Sequence, residues 1–149
     1  MKLKSYLFAL ACGLGFANAT SAEQYVDYTP QRGAWEVQII RVDPNHVDDY
    51  LVGLRRNLVP VMEIMKSHGI IDQYQVMTKL NAGAGDNVII IQHYPSLSGL
   101  EPEKARDQAI EKEIYAKVPK GQSDKAVAEF EKYRTFVSDE FWTPVDFAK

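Results

Sequence analysis

The sequence predicts an α+β domain in which a four-stranded antiparallel sheet carries helices on one face. Residues 34–42 alternate apolar and polar side chains, which is typical of a strand, and Asp43-Pro44 then begins a long segment with helical spacing of apolar residues. Two strand-like segments follow, joined by a short glycine-rich loop that indicates a hairpin. Two helical segments and a last strand complete the predicted order β-α-β-β-α-α-β.

The first 22 residues have the features of a secretory signal peptide. Two lysines precede a largely apolar stretch over residues 6–16, and Ala-Asn-Ala at 17–19 matches the small-x-small pattern of a cleavage site. The apolar stretch is too short to remain as a transmembrane helix. We therefore expect removal of residues 1–22, a periplasmic or secreted location, and no stable membrane insertion afterwards.

The mature chain is acidic and lacks cysteine. The sequence has 17 basic and 20 acidic residues; two lysines lie in the signal and no acidic residue does, which leaves 15 basic against 20 acidic. This balance is unfavourable for binding nucleic acid. The only cysteine, Cys12, also lies in the signal, and the three histidines have no metal-site spacing. We predict no disulfide, no metal and no cofactor.

Local signals divide the mature chain into an extended lead-in over residues 23–33 and a single domain over residues 34–149. Asp43 is a good N-cap for a helix over residues 44–68, and Pro60 predicts a kink near Arg56 because proline cannot donate to that carbonyl. The hairpin strands are predicted at residues 70–80 and 88–94.

The C-terminal part is predicted to be helical over residues 102–118 and again from Ser123, with Val127, Phe130, Tyr133 and Val137 as one apolar stripe. Residues 139–147 are ambiguous. Phe141 continues the helical stripe, whereas Trp142, Pro144 and Val145 suit a short edge strand, and we assign a strand.

Both faces of the predicted sheet are too apolar for one of them to remain in water. Trp35, Val37 and Ile39 share one face of their strand, and the strand at 88–94 is apolar on both sides. A second copy of the chain covering the exposed face is the simplest solution, and we predict a homodimer.

The chain resembles the dimeric α/β-barrel superfamily, which has a ferredoxin-like βαββαβ plan. It is most similar to the NIPSNAP-like, EthD-like and antibiotic-biosynthesis-monooxygenase-like members. The resemblance rests on the element order and on the segments VQIIRVDPNHVDDYL and QHYPSLS. It implies a dimeric α+β barrel with a ligand pocket between sheet and helices, roofed by the helical segments between residues 102 and 137. Some members bind haem, but no motif assigns their ligand histidine to a position here.

His93 is the candidate catalytic base. If His93 faces the helices together with Ile89 and Ile91, it lies at the mouth of the pocket, where Tyr50 or Tyr94 would serve as hydrogen-bond donor. The alternative is a strand-end histidine bonded to water or backbone.

The candidate ligand-binding residues are mostly aromatic and suit a flat ligand. Arg41 follows Trp35 on the same strand face, and must pair, reach solvent or bind an acidic group. His46 and Tyr50 share a helical face, and with Glu36 or His93 they would form a polar cluster; the alternative is a solvated first turn. The full set is Trp35, Glu36, Arg41, His46, Tyr74, Phe130 and Trp142.

Two classes of function remain open at this point. The first is an exported homodimer that binds a small, partly apolar or aromatic molecule, with or without cofactor-independent oxygenation or proton transfer. The second is a non-catalytic binding or interaction protein of the cell envelope whose cavity is filled by its own side chains. Haem binding is a third, less supported hypothesis.

Overall fold

The computed structural model describes residues 21–80 and 85–149, so the predicted signal peptide up to residue 20 lies outside the described residues. Four antiparallel strands form the main sheet in the order β3-β4-β2-β5, and β1 pairs separately with β6. The strands are β1 (Tyr28–Pro30), β2 (Ala34–Val42), β3 (Gln73–Thr78), β4 (Val88–Tyr94), β5 (Arg134–Trp142) and β6 (Val145–Phe147).

The described residues form four α-helices, which complete the fold and confirm the predicted α+β, ferredoxin-like order. They are α1 (Val47–Asn57), α2 (Val59–Ser67), α3 (Lys104–Lys117) and α4 (Lys120–Phe130), with short 3-10 helices at Pro44–His46 and Leu97–Leu100. In the described ranges, no helix has both the length and the apolar character needed to cross a bilayer.

The first helical segment begins and bends as predicted. The Asp43 carboxylate accepts a hydrogen bond of 2.8 Å from the backbone N–H of Asn45. The interruption between α1 and α2 falls at Leu58, where Pro60 in the first turn of α2 has no N–H to donate to the Arg56 carbonyl. After α2, Gly69 adopts a φ of +68°, the left-handed conformation expected beyond a helix end.

The end of α4 differs from the prediction. The expected stripe through Tyr133 and Val137 is wrong, because α4 ends at Phe130 and β5 already begins at Arg134. Pairing along the free edge of β2 outweighs the local helical spacing. The pairing skips Val137, since Ile39 faces Ser138 and Ile40 faces Phe136, which places a bulge in β5. The strand assignment for residues 139–147 is confirmed.

The helices cover the sheet face that carries Ile40 and Val42, and Trp35, Val37 and Ile39 lie on the opposite face. Ile40 pairs with Val88 across the sheet, and both are fully buried. The buried core cluster comprises Ile40, Val42, Tyr50, Leu54, Met62, Ile70, Ile71, Val88, Ile90, Tyr94 and Phe130.

The opposite face, which we call the open face, has an apolar centre. The register places Val37 opposite Ile91 and Ile39 opposite Ile89, so these four side chains are contiguous. Within the described residues none of them belongs to the core cluster. The same face carries Trp35, His93, Met77, Glu140 and Trp142, of which Met77, Glu140 and Trp142 are exposed.

Candidate functional site

A cavity of about 690 Å³ lies beneath α3; we call it the α3 cavity. Its walls come from α2, the segment at residues 99–102, α3 and the end of β4, so the predicted pocket roofed by the helical segment is present. The apolar lining residues are Met65, Ile70, Tyr94, Leu100, Ile110, Ile114 and Tyr115.

The start of α3 is held firmly over this cavity. Glu103 caps the helix, its carboxylate accepting hydrogen bonds from the backbone N–H groups of Ala105 and Arg106 at 3.1 and 3.0 Å. The Arg106 guanidinium donates to the Glu101 carbonyl at 2.7 Å and to Asp107 at 2.9 Å. These hydrogen bonds hold the Arg106 side chain in the wall of the α3 cavity.

A buried polar cluster lies on the helix-covered face of the sheet. The register places Glu36 opposite Gln92, and Tyr94 lies two residues further along β4 on the same face. Tyr94 Oη donates to Glu36 Oε2 at 2.8 Å, and Gln92 Nε2 donates to Glu36 Oε2 at 2.5 Å and to Tyr94 Oη at 2.8 Å. The ring of Tyr94 also lines the α3 cavity, so this residue joins the cavity to the cluster.

The cluster extends toward β5 through Gln38. Gln38 Nε2 donates to Glu36 Oε1 at 2.9 Å and to Asp139 Oδ2 at 3.3 Å. Asp139 is exposed, whereas Glu36 and Gln92 are 8% and 7% exposed. We call Glu36, Gln38, Gln92, Tyr94 and Asp139 the carboxylate cluster.

Tyr94 acts as a donor in this cluster. Burial raises the pKa of its hydroxyl well above the ordinary value, and the hydrogen bond to the Glu36 carboxylate raises that pKa further, because ionisation would place two negative charges together. The hydroxyl therefore stays protonated at neutral pH.

The three predicted catalytic residues do not meet. His93 and Tyr94 are neighbours on β4 and point to opposite faces, so His93 lies on the open face and away from the α3 cavity. Tyr50 is fully buried, with its hydroxyl 3.1 Å from Nη1 of Arg134. Burial raises the pKa of Tyr50.

His93 has a carboxylate partner that the sequence did not reveal. Its Nδ1 lies 2.7 Å from Asp72 Oδ1, and its ring lies 4.8 Å from the Trp35 ring. A carboxylate at Nδ1 favours the tautomer whose Nε2 is free to accept a proton.

The predicted ligand-binding residues are dispersed. Arg41 forms an exposed ion pair with Asp86 at 3.0 Å. His46 stacks on Tyr133 at 4.7 Å and lies 3.2 Å from Asp49, so it does not join Glu36 or His93.

The remaining predicted aromatic residues have separate environments. Tyr74 donates to Glu63 at 2.6 Å, a hydrogen bond that raises the pKa of Tyr74 to about 12. Phe130 packs in the core against Tyr50 at 4.8 Å. Trp142 is exposed on the open face opposite Trp35. Of the ten candidates, only Glu36 and Tyr94 are joined by a side-chain hydrogen bond, whereas Trp35 with His93 and Tyr50 with Phe130 form aromatic pairs outside the lining of the α3 cavity.

The sequence contained one signal for the carboxylate cluster. Glu36 and Gln38 lie on the same strand face as Ile40 and Val42, so a face that carries core residues also carries two polar side chains. Polar side chains on such a face must find partners when helices cover it. Gln92 and Asp139 join them only through the register of distant strands.

Two ligand sets for metal ions and haem can be checked among the described residues. The described residues contain no group of three His, Cys, Asp or Glu side chains able to hold a metal ion. None of the residues lining the α3 cavity is a histidine, so a haem placed there would lack that axial ligand.

Comparisons with known proteins confirm the fold. No protein-family model matches the chain, and no curated protein matches it. A NIPSNAP family protein of unknown function from Agrobacterium tumefaciens has 14% sequence identity and a TM-score of 0.50, covering 83% of this chain and 97% of its own. At such identity the similarity shows a shared ferredoxin-like fold, as the sequence resemblance implied.

Two further solved structures are similar at lower scores. HapK from Hahella chejuensis has 12% identity and a TM-score of 0.42, covering 73% of this chain and 90% of its own. A dimeric protein of unknown function and ferredoxin-like fold from Bacteroides fragilis has 12% identity and a TM-score of 0.42, covering 80% of this chain and 100% of its own.

Proposed function

We propose that this protein is exported and binds a small, largely apolar, partly aromatic molecule in the α3 cavity. The observation that carries the proposal is the cavity itself, whose volume of about 690 Å³ falls in the range of small-molecule sites and whose walls are mainly aliphatic and aromatic. Phe130 and Trp142, the residues expected to fill such a space in a protein without a ligand, do not line it.

The walls suggest how the ligand is held. Tyr94 and Tyr115 offer aromatic surfaces, and Ile110 and Ile114 project from consecutive turns of α3. Charged side chains of α3, among them Lys104 and Glu111, also contribute to the lining. This arrangement favours a ligand with an apolar body.

Replacing Ile110 with tryptophan should abolish ligand binding, because the larger side chain projects into the α3 cavity and obstructs it. We expect native mass spectrometry of the exported wild-type protein to show a co-purified small molecule on a chain that begins near residue 23. The Ile110→Trp protein should lose that molecule. Val127→Trp, at an exposed position on α4, is the matched control and should retain it. Equal occupancy in both variants would contradict the cavity assignment.

We further propose that the open face is the interface of a homodimer. Val37, Ile39, Ile89 and Ile91 form a contiguous apolar centre, and Trp142 at its margin is 57% exposed. An apolar surface of this kind is unfavourable in water and is typical of subunit contacts. A two-fold contact through a flat sheet would cover the same residues of both subunits.

A catalytic function is the second candidate, and the pairing of Asp72 with His93 favours it. Their separation of 2.7 Å orients the histidine as a general base for proton transfer or cofactor-independent oxygenation. Because His93 lies on the open face, its substrate would lie between the two sheets of the dimer.

The His93→Ala variant should lower turnover of a substrate bound at the open face by about 100-fold or more, the usual contribution of a general base. His68→Ala is the matched control, since His68 pairs with Glu113 outside the open face. Turnover that His93→Ala leaves unchanged would rule out this role and leave a binding protein.

A further inference from the structure

We propose that the carboxylate cluster is a second binding site, which takes the positively charged nitrogen of a small organic cation whose flat part lies against Phe141. This site goes beyond the apolar α3 cavity and is reached from the exposed side of β5, where Asp139 and Phe141 face solvent. Tyr94 is the residue that the two sites share.

The carboxylate cluster has a buried hydrogen-bond acceptor without a donor. Gln92 Nε2, Gln38 Nε2 and the Tyr94 hydroxyl all donate within the cluster. The Gln92 side chain is more than nine-tenths buried, and its Oε1 accepts no hydrogen bond from the described residues. Buried acceptors normally have donors. A ligand with several N–H groups would supply them.

The charges of the cluster point to a cation. Glu36 and Asp139 are carboxylates bridged by a neutral amide, and within residues 21–80 and 85–149 neither forms a salt bridge. Glu36 is buried, and a buried carboxylate without a positive partner is unfavourable. A bound cation would remove that imbalance.

The surroundings favour an organic cation over a metal ion. The Tyr94 ring lies 6.0 Å from the ring of Phe141, which is 54% exposed. Aromatic faces attract organic cations through cation–π contacts. The cluster offers two carboxylates and no histidine, and the described residues contain no group of three side chains able to hold a metal ion.

The test compares 2-phenylethylamine with propylbenzene, a neutral probe of similar shape. We expect titration calorimetry to show at least tenfold tighter binding of the amine to the wild-type protein. Glu36→Gln and Asp139→Asn should each weaken amine binding at least tenfold while leaving propylbenzene binding unchanged. The exposed Glu131→Gln is the matched control and should bind both probes as the wild type does.

The outcomes separate this site from the α3 cavity. Ile110→Trp should abolish propylbenzene binding and leave amine binding in place. Equal affinity for both probes would overturn the cationic site without affecting the cavity, whereas amine binding lost in Ile110→Trp would place the amine in the cavity instead. Amine binding that survives both carboxylate substitutions would also overturn the proposal. If Glu36→Gln does not fold, Asp139→Asn still tests the cationic site, because Asp139 is exposed.

Discussion

Replacing Ile91 with glutamate should convert the proposed dimer to a monomer. Ile91 lies at the centre of the open face, between Val37 on β2 and Gln75 on β3. In the proposed dimer each subunit would bury an unpaired carboxylate, at a cost of about 3–5 kcal/mol. That corresponds to roughly 150- to 5,000-fold weaker association per subunit. Light scattering after size-exclusion chromatography should show the mass fall by half.

The control for this prediction is Val127→Glu on α4. Val127 is an exposed apolar residue of the helix layer, so its replacement adds the same charge away from the open face. The dimer mass should not change. In the Ile91→Glu monomer the new carboxylate meets water, so thermal unfolding should remain cooperative. A wild-type protein that is already monomeric at high dilution would contradict the interface.

Among the described glycines with positive φ, Gly33 is the one whose replacement with alanine should destabilise the protein most. Gly33 has a φ of +81°, and a Cβ there would lie 2.2 Å from the carbonyl oxygen of Tyr94. Backbone strain and overpacking together amount to about 2–6 kcal/mol. The clash falls where β2 begins beside the end of β4, so the carboxylate cluster would also be disturbed.

Gly69→Ala separates the two contributions to that loss. Gly69 has a φ of +68°, but a Cβ there would meet nothing within 4 Å. Only backbone strain applies, at about 1–2 kcal/mol. Denaturant unfolding of both variants measures the difference, and equal losses would show that the contact with Tyr94 is relieved by local movement.

Local patterns predicted most elements because their causes lie within a few residues. The Asp43 cap, the break caused by Pro60 and the turn at Gly69 depend on neighbouring backbone groups, and each is present. The end of α4 was missed because the long-range pairing of β5 with β2 outweighs a helical spacing that continued into Tyr133.

The candidate site was harder to predict because alternation alone does not say which strand face meets the helices. The sequence placed Trp35 and His93 near the pocket, and the structure places both on the open face. Glu36 was predicted to bind ligand and to join His46 and Tyr50 in a polar cluster, yet its partners are Gln92 and Tyr94. Asp72, the partner of His93, carried no local signal.

The sequence by itself determined the element order, the acidic balance and two strands too apolar for water, since composition and short-range spacing suffice for these. The tertiary structure alone decided that Glu36, Gln92 and Asp139 share one polar cluster and that His93 is turned away from it. The physical reason is register: residues about a hundred positions apart become neighbours only when the strands pair, and one step along a strand reverses the face on which a side chain lies.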